Sequence, residues 1–208
     1  MIDQPDLQYE SSARQKGFQI IAGIDEAGRG AWAGPIISAA VILPDDPGIS
    51  GLLSGVRDSK LMTGKQRVYW AEIIKDQAAA WAVGVVTSSE IDEIGILPAN
   101  RLSMQRAIES LSIPPDYHLF DFIHWKNCPF IGEKLVKGER KSLSIAAASV
   151  IAKTHRDNLM INLEEIVPGY DFYRHKGYGT KLHRQAIHKL GLSEIHRKSF
   201  NIRIEDRH

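Results

Sequence analysis

The chain is almost free of cysteine and has no long hydrophobic segment, and each absence excludes a class of protein. Cys128 is the only cysteine among 208 residues, which excludes an intrachain disulfide and a zinc site built from several cysteines. The longest mainly apolar run, from Ala31 to Leu43, is too short to cross a bilayer as a helix. Residues 1–6 are acidic and polar and show no signal-peptide pattern. We therefore expect a cytoplasmic protein that does not associate with membranes.

Neither sign of charge dominates the whole chain, whose formal net charge is +1, yet the C-terminal part is basic. Residues 169–208 contain nine Lys and Arg against four Asp and Glu, a formal charge of +5. Four histidines are expected to add to this charge when protonated, namely His175, His183, His188 and His196. A basic segment joined to an acid-bearing core suits a nucleic-acid substrate. A solvated basic face explains the same composition, so charge alone leaves both interpretations open.

The stretch Gly23–Gly30 combines two adjacent acids with a glycine-rich turn. Asp25 and Glu26 follow an apolar run that starts at Phe18, and this pattern indicates a strand ending in a turn. Adjacent strand residues point to opposite faces, but a strand end can still bring both carboxylates to one or two hard cations. The glycine N–H groups and the Arg29 guanidinium suit a phosphate. This pattern predicts metal-assisted chemistry on a phosphodiester. The alternative is a hairpin with a charged turn.

Two further acids, Asp121 and Glu139, stand at the ends of later apolar runs. An unpaired acid inside an apolar strand is costly to bury, which favours a functional role for Asp121. Glu139 has basic neighbours, so an ordinary surface ion pair is the alternative for it. Converging carboxylates repel one another unless a cation neutralises them. Because the set offers only oxygen ligands, it predicts Mg²⁺ or Mn²⁺ as the cofactor.

Two more residues are candidates for contacting a substrate. Lys60, in Asp58-Ser59-Lys60, could bind a phosphate, although a charged loop before a helix has the same composition. Tyr178, in Lys176-Gly177-Tyr178, could present its ring to a sugar or base, or it could pack beneath a glycine turn. No role in the site is predicted for the helix charges Lys153, Arg156 and Asp157 or for the histidines His124 and His155.

Apolar periodicity, turn residues and capping residues predict five strands and several helices. The strands are expected at about 18–25, 35–43, 81–87, 117–122 and 134–137, with the first two as antiparallel neighbours. The helices are expected at about 63–80, from 88, at 98–111, from 142 or 144 to 167, and at 181–190. Residues 1–17 are expected to form a loose polar arm. Two strands followed by alternating helices and strands predict an α/β fold with a mixed sheet flanked by helices.

Four separate motifs occur in the order found in ribonuclease HII, and together they make the chain resemble that family over roughly residues 20–200. They are Gly23-Ile-Asp-Glu-Ala-Gly-Arg-Gly30, Asp58-Ser-Lys-Leu61, Ser144-Ile-Ala-Ala-Ala-Ser-Val-Ile-Ala-Lys153 and His175-Lys-Gly-Tyr178. The resemblance implies a ribonuclease H-like fold, a five-stranded mixed sheet flanked by helices with a small C-terminal helical segment. It also implies a catalytic domain at 18–168 and a basic segment at 169–208 that completes the substrate site.

The activity that the resemblance implies is endonucleolytic. The enzyme would cleave the RNA strand of RNA–DNA hybrids and would incise duplex DNA 5′ of a single embedded ribonucleotide, leaving a 3′-hydroxyl and a 5′-phosphate. The family's metal ligands correspond to Asp25, Glu26, Asp121 and Glu139, which would hold Mn²⁺ or Mg²⁺. The backbone of Gly28, Arg29 and Gly30 would read the 2′-hydroxyl, the group that separates RNA from DNA. Tyr178 would sense the junction with the following deoxynucleotide.

The sequence departs from the family pattern at two positions. Phe122 follows the third acid where the family usually has glycine, and Glu139 replaces an aspartate. Because glutamate is only one methylene longer, we expect retained activity with an altered metal preference or rate. The stretch 200–208 lacks a glutamine-rich aromatic clamp-binding motif, so no partner is expected to dock by that route. A hybrid-binding protein without catalysis and a different nuclease on the same fold are the alternatives, and a monomer is expected.

Overall fold

A five-stranded sheet forms the centre of the computed structural model, which describes residues 4–202. The strands are β1 (Ile21–Ala27), β2 (Ile36–Ile42), β3 (Ala80–Val86), β4 (Tyr117–Asp121) and β5 (Gly132–Leu135). The helices are α1 (Gln8–Gln15), α2 (Ile49–Leu52), α3 (Gly64–Gln77), α4 (Ser88–Ile94), α5 (Ile96–Glu109), α6 (Leu143–Ile166), α7 (Phe172–His175) and α8 (Lys181–Leu190). Short 3₁₀ turns lie at Ser59–Leu61 and Gly138–Arg140.

The strand order is β3-β2-β1-β4-β5, which makes β1 the central strand. β2 is antiparallel to both β1 and β3, whereas β4 is parallel to both β1 and β5. The prediction of an α/β fold with a five-stranded mixed sheet, and of antiparallel first strands, is therefore confirmed. Parallel β1 and β4 end at the same edge of the sheet, so the residues that follow them meet there.

Two long helices cover opposite faces of this sheet. Alternate strand residues point to opposite faces. On one face Ala39 and Val41 pack with the small residues of α6, and on the other Ala40 and Ile42 pack with α5. The small-residue stretch predicted to pack closely, residues 146–149, is buried. A Cβ on Gly23 would lie 2.2 Å from the backbone of Ser144, so this glycine lets α6 approach β1 directly.

The expectation of a loose polar arm at the N-terminus is wrong for the residues that the structure describes. Residues 8–15 form α1, whose Ala13 and Glu10 are buried. The Glu10 carboxylate accepts hydrogen bonds from the hydroxyl groups of Ser142 and Ser144, both at 2.6 Å, and from the backbone N–H of Ser144. The segment looked unanchored because its main anchor is a buried carboxylate rather than an apolar stripe.

The C-terminal part contains α7 and α8, packed on α6 around a cluster that includes Met160, Tyr170 and Phe172. Helices α7 and α8 form the predicted helical segment after residue 169, and residues 191–202 continue without helix or strand. Residues 203–208, which hold most of the stretch expected to lack a clamp-binding motif, lie outside the described part. Within residues 4–202, no helix is both long and apolar enough to cross a membrane.

Candidate active site

Asp25 and Glu26 lie near the end of the central strand β1 and face opposite sides of the sheet. Asp25 is opposite Ala39, on the face covered by α6, and is buried. Glu26 is opposite Ser38, on the face covered by α5, where the nearby side chain of Asn100 favours its charged form. Asn100 is a buried polar residue that the sequence analysis missed, because nothing in its local sequence distinguishes it from other helix residues.

Asp121 and Glu139 join this pair at the same edge. The register of the parallel strands β1 and β4 places Asp121 beside Asp25. The N–H of Gly138 donates a 2.8 Å hydrogen bond to Asp121 Oδ1, and the carboxylate of the adjacent Glu139 lies close enough to that of Asp121 to interact with it electrostatically. Glu139 is buried at 5% exposure, which disfavours the alternative of a surface ion pair. The fold therefore brings together the four carboxylates that the sequence singled out.

Burial and neighbouring charges raise the pKa of three of the carboxylates, those of Asp25, Glu26 and Glu139. Burial raises the pKa of Asp25 well above its ordinary value, and the charges of Glu26 and Asp121 raise it further. Burial likewise raises the pKa of Glu26 and of Glu139, with Asp121 adding to both. Burial alone would lower the pKa of Lys60, but the surrounding carboxylates raise it instead, beginning with Asp25. A cation placed among these groups would relieve their repulsion.

The donor set fits a hard divalent cation in an open site. Oε2 of Glu26 and Oε2 of Glu139 are buried and have no hydrogen-bond partner within residues 4–202. Among the same residues, no three His, Cys, Asp or Glu side chains are grouped closely enough to hold a metal ion by themselves. Magnesium-type sites commonly use one or two carboxylates and leave the other positions to water and substrate phosphate. The four carboxylates are thus suited to hold a cation together with a bound phosphodiester.

A cleft of about 240 Å³ opens over three of these carboxylates, and Glu139 is not among its lining residues. Its lining includes Asp25, Glu26, Asp121, Lys60, the loop Gly28–Gly30, Lys153 and Tyr178. All the substrate-contact candidates from the sequence therefore line one cleft, and Lys153, for which no role was predicted, joins them. A larger cavity of about 350 Å³ lies beside Trp70, but no acid lines it.

The loop Gly28–Gly30 contains two glycines with different constraints. Gly28 has φ +95°, and a Cβ there would lie 2.0 Å from Arg156 Nε, so both backbone and packing require glycine. Gly30 has no such φ, and a Cβ there would meet nothing within 4 Å. The protein itself therefore leaves room for a larger side chain at position 30. Arg29 is half-exposed, with Nη1 3.4 Å from Glu26 Oε1.

Arg156 connects this loop with Tyr178, which corrects its assignment as an ordinary helix charge. Its guanidinium is fully buried and lies 5.2 Å from the centre of the Tyr178 ring. It donates to three backbone carbonyl groups, those of Ala33 (3.1 Å), Pro35 (3.0 Å) and Lys176 (2.9 Å). Lys153 Nζ also lies 5.3 Å from the Tyr178 ring and pairs with Asp157. Because the carbonyls come from distant loops, local sequence could not reveal this role.

The expectation that the C-terminal histidines add positive charge is wrong for three of them. His175, His183 and His196 are buried behind Tyr178, whereas His188 is exposed. His183 Nδ1 lies 3.1 Å from the carbonyl oxygen of Tyr178, and His183 Nε2 lies 3.0 Å from Nε2 of His196. Burial lowers the pKa of His183 to about 3 and of His196 to about 4, so both are neutral at pH 7. His124 and His155 are exposed, in line with the absence of a predicted role.

Comparison with known proteins agrees with this geometry. The sequence model of the Ribonuclease HII family matches residues 22–203. Ribonuclease HII of Roseiflexus castenholzii is 47% identical over 197 residues, covering 94% of this chain and 88% of that protein. The crystal structure of ribonuclease H2 from Pyrococcus horikoshii OT3 superposes with a TM-score of 0.70 at 24% identity, covering 88% of this chain and 95% of that one. Bst-RNase HIII in complex with Mn²⁺ superposes with a TM-score of 0.66 at 21% identity, covering 93% and 71%.

Proposed function

Because the chain belongs to the ribonuclease HII family, as its motifs predicted, we propose specific roles for the residues that line its cleft. The protein is a metal-dependent endoribonuclease that cleaves the RNA strand of RNA–DNA hybrids. We propose further that it incises duplex DNA 5′ of a single embedded ribonucleotide and leaves a 3′-hydroxyl and a 5′-phosphate. The observation that carries this proposal is the cleft that Asp25, Glu26 and Asp121 share with the loop Gly28–Gly30.

Asp25, Glu26, Asp121 and Glu139 are the proposed ligands of Mn²⁺ or Mg²⁺. The raised pKa values of Asp25, Glu26 and Glu139 and the unpartnered oxygens of Glu26 and Glu139 support this role. Bound cations of this kind activate water and stabilise charge on the leaving oxygen of a phosphodiester. The protein supplies rigid placement, since three of the four acids lie on the adjacent strands β1 and β4. Glu139 stands on a short turn next to Asp121, where the longer side chain still points into the group.

The remaining cleft residues are proposed to hold and read the nucleic acid. Lys60, which is charged among the carboxylates, would bind the phosphate next to the scissile bond. The half-exposed guanidinium of Arg29 would bind another phosphate. The backbone of Gly28–Gly30, which is exposed at Arg29 and Gly30, would contact the 2′-hydroxyl, because a side chain as small as hydrogen leaves the backbone N–H groups accessible. Tyr178 would pack against the following deoxyribose and so detect the RNA–DNA junction.

The division into a catalytic part, 18–168, and a C-terminal part, 169–208, that completes the substrate site stays a proposal. It is supported by Tyr178, which comes from the second part yet lines the same cleft as Asp25. Every proposed site residue comes from one chain, so we propose that the protein acts as a monomer.

A labelled DNA duplex carrying one ribonucleotide tests the proposal. We expect incision 5′ of the ribonucleotide with Mn²⁺ or Mg²⁺ and none with a chelator. Asp25→Asn, which keeps the volume of the side chain, should abolish cleavage in either metal. The matched duplex with no ribonucleotide should stay intact. Metal-dependent cutting of a long hybrid with none at the single ribonucleotide would contradict the reading role of Gly28–Gly30. Cleavage by the Asp25→Asn variant at the wild-type rate would contradict the metal assignment.

A further inference from the structure

Arg197 lies behind the loop that is proposed to read the sugar. Its side chain is fully buried. Nη1 donates to the carbonyl of Arg29 and Nε to the carbonyl of Gly34, each at 3.0 Å. Its own backbone N–H donates to the carbonyl of Trp32 at 2.8 Å. The C-terminal stretch around Arg197 is therefore bonded to both ends of the segment between β1 and β2.

Burying this guanidinium is unfavourable for folding. Within residues 4–202 it has no carboxylate partner, and Nη2 has no hydrogen-bond acceptor. Burial, together with the charge of Arg156, lowers the pKa of Arg197 to about 9, which still leaves it charged at neutral pH. A buried, incompletely paired charge opposes folding. Proteins accept such local conflicts mainly where a group serves function.

The hydrogen bond from Arg197 to the Arg29 carbonyl fixes the orientation of the peptide group between Arg29 and Gly30. The carbonyl of Arg29 and the N–H of Gly30 belong to the same trans peptide, so they point in opposite directions. With the carbonyl held on the buried side by Arg197, the N–H of Gly30 points to the open side. There it has no acceptor within residues 4–202, and a Cβ added to Gly30 would meet nothing within 4 Å. A charged donor on the carbonyl also polarises the peptide and makes the N–H a stronger donor.

We infer that Arg197 is a positioning residue for sugar recognition, which holds the Arg29–Gly30 peptide so that the N–H of Gly30 donates to the 2′-hydroxyl of the ribonucleotide. This inference rests on the proposed function of the loop. It assigns the preference for a ribonucleotide partly to a residue that never touches the nucleic acid. Arg156 supports the same segment at Ala33 and Pro35, but it does not contact this peptide.

The test measures preference rather than activity. Dissociation constants are measured in chelator for a duplex with one ribonucleotide and for the all-DNA duplex of the same sequence. We expect the wild-type protein to prefer the ribonucleotide and Arg197→Gln to reduce that preference about 3- to 10-fold, the factor one hydrogen bond contributes. Arg197→Lys, which keeps the charge but cannot reach both carbonyls with one ammonium group, should give a smaller reduction in the same direction.

Two controls separate this role from general loss of structure or charge. Lys198→Gln removes the same charge at the exposed neighbouring position, so it should weaken both duplexes alike and keep their ratio. In a Gly30→Ala background, Arg197→Lys should not change the ratio further, because the two residues act through one peptide. Thermal unfolding checks that each variant is folded. If Arg197→Gln does not fold, the test is read from Arg197→Lys instead.

The outcomes separate the inference from the function on which it rests. A wild-type protein that binds both duplexes equally would overturn the proposed reading of the sugar. A preference for the ribonucleotide that stays as large as in the wild type, in folded Arg197→Gln or Arg197→Lys, would overturn the role of Arg197 alone. Equal weakening of both duplexes in the Arg197 variants would mean that the residue is merely structural, and would overturn it as well.

Discussion

Gly28→Ala should mainly lower the stability of the fold, whereas Gly30→Ala should leave stability unchanged and slow cleavage. At Gly28 the left-handed backbone costs any other residue about 1–2 kcal/mol. The added Cβ would also lie 2.0 Å from Arg156 Nε, and overpacking of this kind costs about 1–3 kcal/mol. The variant should therefore lose about 2–5 kcal/mol of stability, a fall of about 5–15 °C in Tm for a chain of this size.

Gly30→Ala is the matched substitution, because the added methyl group meets nothing in the protein. Its unfolding free energy should stay within about 0.5 kcal/mol of the wild type. Its cleavage at a single ribonucleotide should nevertheless fall on the order of 10²-fold, the effect of displacing the reacting groups by about 1 Å.

Thermal unfolding and single-turnover cleavage, run on both variants, check these expectations. A Gly28→Ala protein as stable as the wild type would refute the close contact with Arg156. Full activity in folded Gly30→Ala would refute the approach of the sugar to this backbone. Destabilisation of Gly30→Ala by several kcal/mol would show that the protein itself constrains that position.

Three other perturbations test the surroundings of the site. Loss of a group that only orients a metal ligand typically costs about 10- to 100-fold. Glu139→Gln should slow cleavage by more than this factor and should raise the Mn²⁺ concentration that cleavage needs. An unchanged rate at all Mn²⁺ concentrations would exclude Glu139 as a ligand. The low pKa values of His183 and His196 give stability that is full above pH 6.5 and is lost toward pH 4, by about 1.4 kcal/mol per pH unit for each ring. In urea denaturation, the stability advantage of the wild type over His196→Gln should therefore shrink between pH 7 and pH 4.5, and a constant difference would contradict the linkage. Glu10→Ala should lower the unfolding free energy by about 2–3 kcal/mol, because charge-assisted bonds at the start of α6 are lost; a change below about 0.5 kcal/mol would mean that α1 does not anchor α6.

Local signals in the sequence were enough to predict the sheet and most helices. Thr63 and Thr180 cap their helices through side-chain bonds, and Ser142 begins the long helix α6. The apolar runs that end in acids became β1 and β4, so their acids meet at one sheet edge. Each of these features depends on neighbours within a few residues, which is why periodicity and capping were sufficient.

The features that sequence reasoning missed depend on distant partners. Helix α1 is anchored by Glu10, whose partners lie more than 130 residues away. Arg156 was taken as a surface charge because its acceptors are backbone carbonyls of other loops, which no side-chain pattern reveals. The buried histidines were taken as basic for the same reason, since only tertiary burial lowers their pKa. Composition gives the number of titratable side chains, whereas packing determines which of them are exposed and charged at neutral pH.

The two halves of the site follow different physical rules, and substitutions should affect them differently. The metal half depends on side-chain chemistry, since four carboxylates repel one another until a cation joins them. The proposed reading half would depend on backbone N–H groups, which substitutions other than proline leave in place. Its selectivity would therefore reside in what holds the backbone, namely Gly28, Arg156 and Arg197, more than in the exposed side chain of Arg29. Removing that side chain takes away a phosphate contact, which is screened by salt and shared by any duplex. Arg29→Ala should accordingly weaken binding to ribonucleotide-containing and all-DNA duplexes alike, whereas a change in their ratio would place sugar recognition in the side chain after all.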